Sequence, residues 1–240
     1  MDAGGSLESL RGELVELANA QFESPQYRAL LAARFTREGA LRFEVQRAHF
    51  VKNRRDCWGF VQGAAPLDVK RLIWKHEQEE LMGLDGVPDH MTLGIQEAEL
   101  VGLEAGQFER TTPTDTAQTC FWAWLQLARS RPWLEGIAAS SILEWVVSDE
   151  VIRGGGIVRR LGERMEQDLG IPFHKQPTNA VHVVADVEHA NLLLDVMKRH
   201  AGTEQARRAV LRGARDSLAI ERVFRGHIAE LLACSEQLQP

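Results

Sequence analysis

The chain has 240 residues, of which 44% are hydrophobic and 26% are charged, and its formal net charge is −6 at pH 7. This length and composition are typical of one globular domain with a substantial core. The negative charge gives no electrostatic reason to expect a nucleic acid or an anionic membrane as partner.

The N-terminus and the cysteines predict a reduced, cytoplasmic protein. Residues 1–20 contain no basic segment followed by an apolar core, and no apolar run approaches the roughly 20 residues of a membrane span. Cys57, Cys120 and Cys234 are widely spaced and form no CxxC pair. This spacing predicts neither a disulfide framework nor a zinc site.

Helical periodicity runs through the chain, and convincing strands are missing. Thr36 is a predicted N-cap, Gly83 a predicted helix end, and Pro132 a predicted start position. The predicted helices cover residues 6–20, 36–62, 67–83, 114–131, 132–151, 178–202 and 203–237. We therefore predict an all-α, single-domain bundle of about seven to nine helices that spans residues 1–240.

A polar stripe interrupts the apolar segment VHVVADVEHANLLLDV, residues 181–196. His182, Asp186 and His189 are separated by four and then three residues, so a helix would place them on one face. A buried carboxylate between two imidazoles is costly to desolvate unless a positive charge lies beside it. A metal ion would supply that charge, and mixed histidine and carboxylate ligands favour iron or manganese, with zinc as an alternative. Hydrogen-bonded polar side chains on a half-exposed helix are the non-functional interpretation.

Other predicted helices offer further ligands for such a site. Glu144 follows the small residues of GIAASSIL, which would let a neighbouring helix approach closely. Glu80 shares a helix face with Ile73, and His90 follows ten residues later, after the VPD turn. Together with the three residues of the polar stripe, they make three carboxylates and three histidines, which is the set of ligands that a dinuclear iron site uses. A ferritin-like arrangement is disfavoured, because the chain contains no Glu-x-x-His pair.

These positions and their flanking motifs resemble the haem-oxygenase-like diiron oxidases and oxygenases. That superfamily also holds the pyrroloquinoline-quinone synthase-like and thiaminase-II-like proteins. Its ligand pattern is a Glu and a His around the first core helix, a Glu on the second, and His-x3-Asp-x2-His on the third. The similar flanking stretches are FTREGALRFEVQRAHFVKNR, EELMG followed by GVPDH, PWLEGIAASSILE and DVEHANLLLDV. The resemblance implies a haem-oxygenase-like fold with two iron ions held by Glu80, His90, Glu144, His182, Asp186 and His189.

The activity that the resemblance implies is O2-dependent oxidation of a small organic substrate in natural-product or cofactor metabolism. Substrates in the family include amino acids, amines and fatty acids, and outcomes include N-oxygenation, desaturation, C–C cleavage and decarboxylation. Shared ligands cannot choose among these reactions. The alternative is a metal-free pyrroloquinoline-quinone synthase-like oxidase or a thiaminase-like hydrolase of the same fold, with Cys57 or Cys120 as nucleophile. A non-enzymatic helical interaction module is a third interpretation.

Four residues are candidates for the substrate pocket: Tyr27, Phe43, Arg47 and Glu77. In the para-aminobenzoate-forming branch a tyrosine near Tyr27 is consumed and a lysine follows the second-helix Glu. The matching stretch EWVVSDEVIRGGG contains no lysine, which disfavours that activity here. Arg47 could pair with a substrate carboxylate, although surface exposure is the commoner outcome for such a residue. Glu77, or the neighbouring Glu79, could replace Glu80 as a metal ligand.

The partners implied are a small-molecule substrate and an external reductant, with no nucleic acid and no membrane. The long helices and the apolar content are also compatible with a homodimer.

Overall fold

The computed structural model describes residues 3–84 and 86–233, without the side chains of residues 3–6 and 182–189. Within these ranges the all-α fold is confirmed. The α-helices are α1 (Ala3–Gln21), α2 (Pro25–Ala32), α3 (Arg37–Ala64), α4 (Leu67–Met82), α5 (His90–Val101), α6 (Asp115–Ser130), α7 (Trp133–Val147), α8 (Ile157–Leu169), α9 (Pro177–His200) and α10 (Glu204–Ala233). Two 3₁₀ turns span Phe108–Arg110 and Phe173–Lys175.

The described ranges thus hold ten α-helices, against the predicted seven to nine. The additional elements are α2, α5 and α8, of 8, 12 and 13 residues. Their short length gives the apolar periodicity few turns in which to repeat. None of the described helices is both long and apolar enough to cross a membrane.

Local signals set the ends of the helices around the interior. The hydroxyl of Thr36 accepts a hydrogen bond from the Gly39 amide at 3.0 Å, where α3 begins. The carboxylate of Asp89 accepts one from the Thr92 amide at 2.9 Å and begins α5. Helix α4 ends at Gly83, whose φ of 71° favours glycine. The predicted boundaries at Thr36 and Gly83 are confirmed.

Helix α7 runs through the centre of the bundle. Every residue from Leu134 to Val146 is buried, so the helix has no solvent face. Small side chains let neighbouring helices approach it closely: a Cβ added to Gly213 of α10 would lie 2.1 Å from the Glu135 carbonyl oxygen. The central position of α7 carries Glu144 into the interior.

Gly213→Ala tests the close approach of α10 to α7. Because the added methyl group would collide with backbone, we expect a loss of about 1–3 kcal/mol in the free energy of unfolding. Gly59→Ala on α3 is the matched control, since nothing lies within 4 Å of its added Cβ. A gain of about 0.5–1 kcal/mol is expected there. Urea unfolding measures both variants, and equal effects would contradict the close approach.

Candidate metal centre

Three of the six predicted ligands, Glu80, His90 and Glu144, come together in the interior. His90 Nδ1 lies 2.9 Å from Glu80 Oε2. A further imidazole, that of His76, has its Nε2 3.9 Å from Glu80 Oε1 and 4.0 Å from Glu144 Oε1. The two carboxylates therefore flank one histidine, and all four residues are buried.

Two adjacent arginines of α3 neutralise these carboxylates. Arg54 forms a short ion pair with Glu144 Oε1 and donates a hydrogen bond to the Ser140 carbonyl at 2.7 Å. Arg55 Nη1 lies 2.6 Å from Glu80 Oε2. Removing a carboxylate from water without such a partner costs several kcal/mol. The arginines therefore make the buried acidic cluster compatible with a folded chain.

Glu80 is held in its ionised form. Burial alone would raise the pKa of Glu80, but Arg55 and then His90 lower that pKa well below its ordinary value. A metal ligand pair needs an ionised carboxylate and a nearby imidazole nitrogen. Ligands at about 2.0–2.2 Å from one ion lie about 3 Å from each other. The 2.9 Å between Glu80 Oε2 and His90 Nδ1 fits that geometry.

The other three predicted ligands, His182, Asp186 and His189, lie on α9. The backbone is helical throughout α9, which keeps positions 182, 186 and 189 on one face. Helix α9 is fixed beside the acidic cluster, because Trp145, the neighbour of Glu144, donates its indole N–H to the Ala190 carbonyl at 3.0 Å. The three side chains lie outside the described residues, so their role as ligands stays a prediction.

The donor set as a whole fits iron or manganese. Among the described side chains, no group of three His, Cys, Asp or Glu residues is arranged to hold an ion by itself. Helix α9 would add two imidazoles and one carboxylate to Glu80, His90 and Glu144. Mixed carboxylate and imidazole donors suit these metals.

Among the acidic residues of α4, the geometry favours Glu80 as ligand. Glu77 is also buried, but its Oε1 lies 3.0 Å from Arg55 Nη1 and 3.0 Å from His76 Nδ1. Glu79 is partly exposed and lines an outer cavity between α4 and α9. Only Glu80 approaches His90 among the contacts described.

A cavity of about 70 Å³ adjoins the predicted ligands Glu80, His90 and Glu144. Most of its wall is apolar and comes from α3, α7 and α8. Of the predicted pocket residues, Phe43 and Arg47 line it, whereas Tyr27 and Glu77 do not. Apolar walls around a metal centre exclude water from it.

Arg47 is buried, contrary to the surface exposure expected for it. Its Nε lies 2.7 Å from Glu44 Oε2 and its Nη2 3.5 Å from Glu97 Oε2. Its Nη1 donates to Asn179 at 2.8 Å. The surface expectation was wrong because three polar partners from α3, α5 and α9 hold the guanidinium inside. Burial raises the pKa of Glu44 to about 8, against the opposing effect of Arg47.

Sequence patterns did not identify Arg54, Arg55 or His76. A signal for His76 exists, since it precedes Glu80 by four residues and therefore shares its helix face. For Arg54, the large apolar residues Phe50 and Trp58 at positions i−4 and i+4 mark an inward face. Nothing in the local pattern marks Arg55.

Comparison with protein families gives one match, to a family described as iron-containing redox enzymes, over residues 41–222. The chain belongs to this family. The matched residues include α4, α5, α7 and α9, and therefore all six predicted ligands. No curated protein sequence compared with the chain matches it.

Solved structures share the fold at low sequence identity. A domain of unknown function with a heme oxygenase-like fold from Shewanella denitrificans OS217 has a TM-score of 0.72 at 14% identity, covering 97% of this chain and 92% of that one. A CADD-like protein of unknown function from Nostoc punctiforme PCC 73102 has a TM-score of 0.69 at 18% identity, covering 94% and 97%. A TenA family transcription regulator from Silicibacter sp. TM1040 has a TM-score of 0.57 at 14% identity, covering 94% and 96%. The predicted haem-oxygenase-like fold is confirmed.

Arg54→Met tests the neutralisation of Glu144. In protein without added metal we expect a loss of about 3–5 kcal/mol in the free energy of unfolding, because a buried carboxylate loses its partner. The control is Arg131→Met, whose pair with Asp216 is exposed (50% and 44%). For Arg131→Met we expect a loss of less than about 1 kcal/mol in the free energy of unfolding.

The double variant Arg54→Met/Glu144→Gln completes this test. Removing both charges should recover most of the loss, since no buried charge is left uncompensated. Urea unfolding measures all four proteins. An Arg54→Met effect no larger than that of Arg131→Met would show that Arg54 does not neutralise Glu144.

The raised pKa of Glu44 predicts a pH dependence of stability. Its folded pKa of about 8 exceeds the ordinary value of 4.5, so between these pH values the folded state holds a proton that the unfolded state lacks. The stability that this bound proton contributes to the folded state is complete below pH 4.5 and is lost as the pH rises towards 8. The free energy of unfolding should fall by at most about 1.4 kcal/mol per pH unit in this range.

Glu44→Gln should flatten this slope, because the amide stays uncharged at every pH. Urea unfolding between about pH 5 and 8 measures it. Glu204→Gln, an exposed change on α10, should keep the slope of the unsubstituted protein. A Glu44→Gln variant with an unchanged slope would contradict the raised pKa.

Proposed function

We propose that the protein is an O2-activating, non-haem diiron oxidase or oxygenase that acts on a small organic substrate in natural-product or cofactor metabolism. The observation that carries the proposal is the grouping of Glu80, His90 and Glu144 at the wall of a buried cavity. Membership of a family of iron-containing redox enzymes supports an iron-dependent reaction.

The chain would hold the two irons through residues from four helices. The ligand set is Glu80, His90, Glu144, His182, Asp186 and His189. Bound there, two ferrous ions would supply electrons for the reduction of O2 beside the substrate. Arg54 pairs with Oε1 of Glu144, and the same carboxylate would bind an ion. The apolar wall of the cavity would keep water from the reacting substrate.

A metal-free oxidase or hydrolase with a cysteine nucleophile has less support. The thiolate is the reactive form of cysteine, so a nucleophile needs a lowered pKa. Burial instead raises the pKa of Cys57 to about 11 and that of Cys120 to about 11. Neither residue lines the cavity beside Glu80.

The proposal also includes an external reductant, a cytoplasmic location and a homodimer. Full reduction of O2 to water takes four electrons, and a ferrous pair supplies two. The substrate or a reductant must therefore supply the others. These three elements of the proposal rest on the sequence resemblance and the composition.

Iron stoichiometry tests the proposed ligands. After anaerobic loading with Fe(II) and desalting, we expect about two irons per chain in the unsubstituted protein. His90→Gln and Glu144→Gln should each lose at least one iron, because each removes a donor. The control is Glu79→Gln, which should keep both irons.

O2 consumption by the same proteins, measured with an electrode, should follow their iron content. Far-ultraviolet circular dichroism checks that each variant is folded. Unsubstituted protein without specific iron, or His90→Gln and Glu144→Gln variants that retain it, would contradict the diiron proposal.

A further inference from the structure

Helix α4 has apolar side chains on its outer face as well as on its buried face. Val69 and Ile73 are fully buried, whereas Leu67, Trp74 and Leu81 are 65%, 67% and 54% exposed. The three exposed residues are spaced by seven, so they form one row along the helix, the α4 stripe. The solvent face of a surface helix is ordinarily polar, and a helix that is apolar on both sides is ordinarily covered on both sides. The α4 stripe therefore indicates a face that a partner covers.

More exposed apolar residues follow directly after the α4 stripe: Met82, Leu84 and Val87. Two backbone hydrogen bonds between Leu84 and Val87, of 2.9 and 3.2 Å, close the turn that follows α4. Residues paired in this way carry their side chains on one side of the pair. Among the described side chains, six of the nine large apolar residues that are exposed thus lie within residues 67–87. Single exposed apolar residues need no explanation, but such a concentration marks an interaction surface.

The area of this surface is close to that of one side of a protein interface. A large side chain presents on the order of 150–250 Å² when nothing covers it, so six side chains that are 39–79% exposed present on the order of 600 Å². A standard interface covers about 800 Å² on each partner, with an apolar centre and a polar rim. The exposed polar residues of α4, which would supply the rim, are Arg71, Lys75 and Gln78. The surface is therefore large enough to form the centre of a dimer interface.

The α4 stripe is symmetric about Trp74, which favours a second copy of the same chain as the partner. Leu67 and Leu81 lie seven residues before and after Trp74. A two-fold axis through Trp74 would pair the helices antiparallel, with Trp74 against its own copy and Leu67 against Leu81. Charge favours this direction over a parallel one. A parallel pair would bring Arg71 beside its own copy, whereas the antiparallel pair places Arg71 beside Gln78.

We propose that the α4 stripe is the interface of a homodimer in which two copies of α4 pack antiparallel about Trp74. This inference rests on the homodimer of the proposed function and specifies how the two copies meet. Glu80 lies on the buried side of α4, so the interface and the metal centre share a helix but not a side chain. Substitutions in the α4 stripe should therefore change the oligomeric state and leave the metal centre intact.

Sedimentation equilibrium of the full-length protein, at concentrations up to about 100 μM, tests the interface. The unsubstituted protein should be a dimer. Trp74→Glu should raise the dissociation constant of the dimer roughly 30-fold or more, because it buries a charge at the centre of the contact. Leu67→Glu, at one end of the α4 stripe, should weaken the dimer as well and serves as the second variant.

Trp122→Glu on α6 is the matched control, since Trp122 is 61% exposed and lies outside the proposed interface. This variant should keep the dissociation constant of the unsubstituted protein. Circular dichroism checks that each variant is folded. Unsubstituted protein that stays monomeric, or a dimer that Trp74→Glu weakens no more than Trp122→Glu does, would overturn the proposal.

Chemical crosslinking tests the direction of the two helices. Leu67→Cys and Leu81→Cys are made separately with Cys234→Ser and treated with a short bismaleimide, while Cys57 and Cys120 are buried. Neither variant alone should form much covalent dimer, because the two copies of one position would lie about 20 Å apart along the helices. An equimolar mixture should form several-fold more. A Leu67→Cys variant that crosslinks with itself as efficiently as the mixture does would contradict the antiparallel arrangement.

The iron content of the same preparations, measured after loading, separates this inference from the diiron proposal. Dimeric protein without specific iron contradicts only the diiron proposal, and monomeric protein with two irons contradicts only the α4 interface. Cosedimentation with phosphatidylglycerol vesicles examines a lipid surface as the other occupant. Monomeric protein that binds these vesicles, and loses the binding in Trp74→Glu, would assign the α4 stripe to a lipid surface and overturn the dimer.

Discussion

The neutralisation of buried carboxylates by α3 is the constraint on which the rest of the structure depends. Arg54 and Arg55 are adjacent in sequence, yet they serve different helices: the first pairs with Glu144 of α7 and the second with Glu80 of α4. If α3 shifted by one residue, both carboxylates would lose their arginine, and a buried carboxylate that loses its charged partner costs several kcal/mol. The ion pairs therefore fix the register of three helices around one cluster.

The buried carboxylates also indicate that the interior serves a purpose other than stability. A core of apolar side chains would be easier to desolvate than the cluster of Glu77, Glu80 and Glu144, even with Arg54 and Arg55 beside it. An excess of buried negative charge is what bound cations compensate. The apolar part of the neighbouring cavity's wall would keep a reaction away from water.

Much of this arrangement was predictable from the sequence, and the limits have physical causes. The helical periodicity, the Thr36 cap and the end of α4 at Gly83 are local signals, and each was confirmed. The approach of Glu80 to His90 followed from spacing and from resemblance to a family, because both residues flank one turn. The pairing of Arg54 with Glu144 was missed because it joins residues 90 positions apart, and local patterns do not show which helices face each other. The burial of Arg47 was missed for the same reason, since its partners come from three helices.

The most direct test of the account is the position of iron in the folded protein. Crystals of protein loaded anaerobically with Fe(II) would be measured at the iron absorption edge, and the anomalous peaks located. We expect two peaks about 3.5–4 Å apart, each within about 2.0–2.3 Å of ligands drawn from Glu80, His90, Glu144 and α9. Iron-loaded crystals with no peak at coordination distance from Glu80, His90 or Glu144 would contradict it.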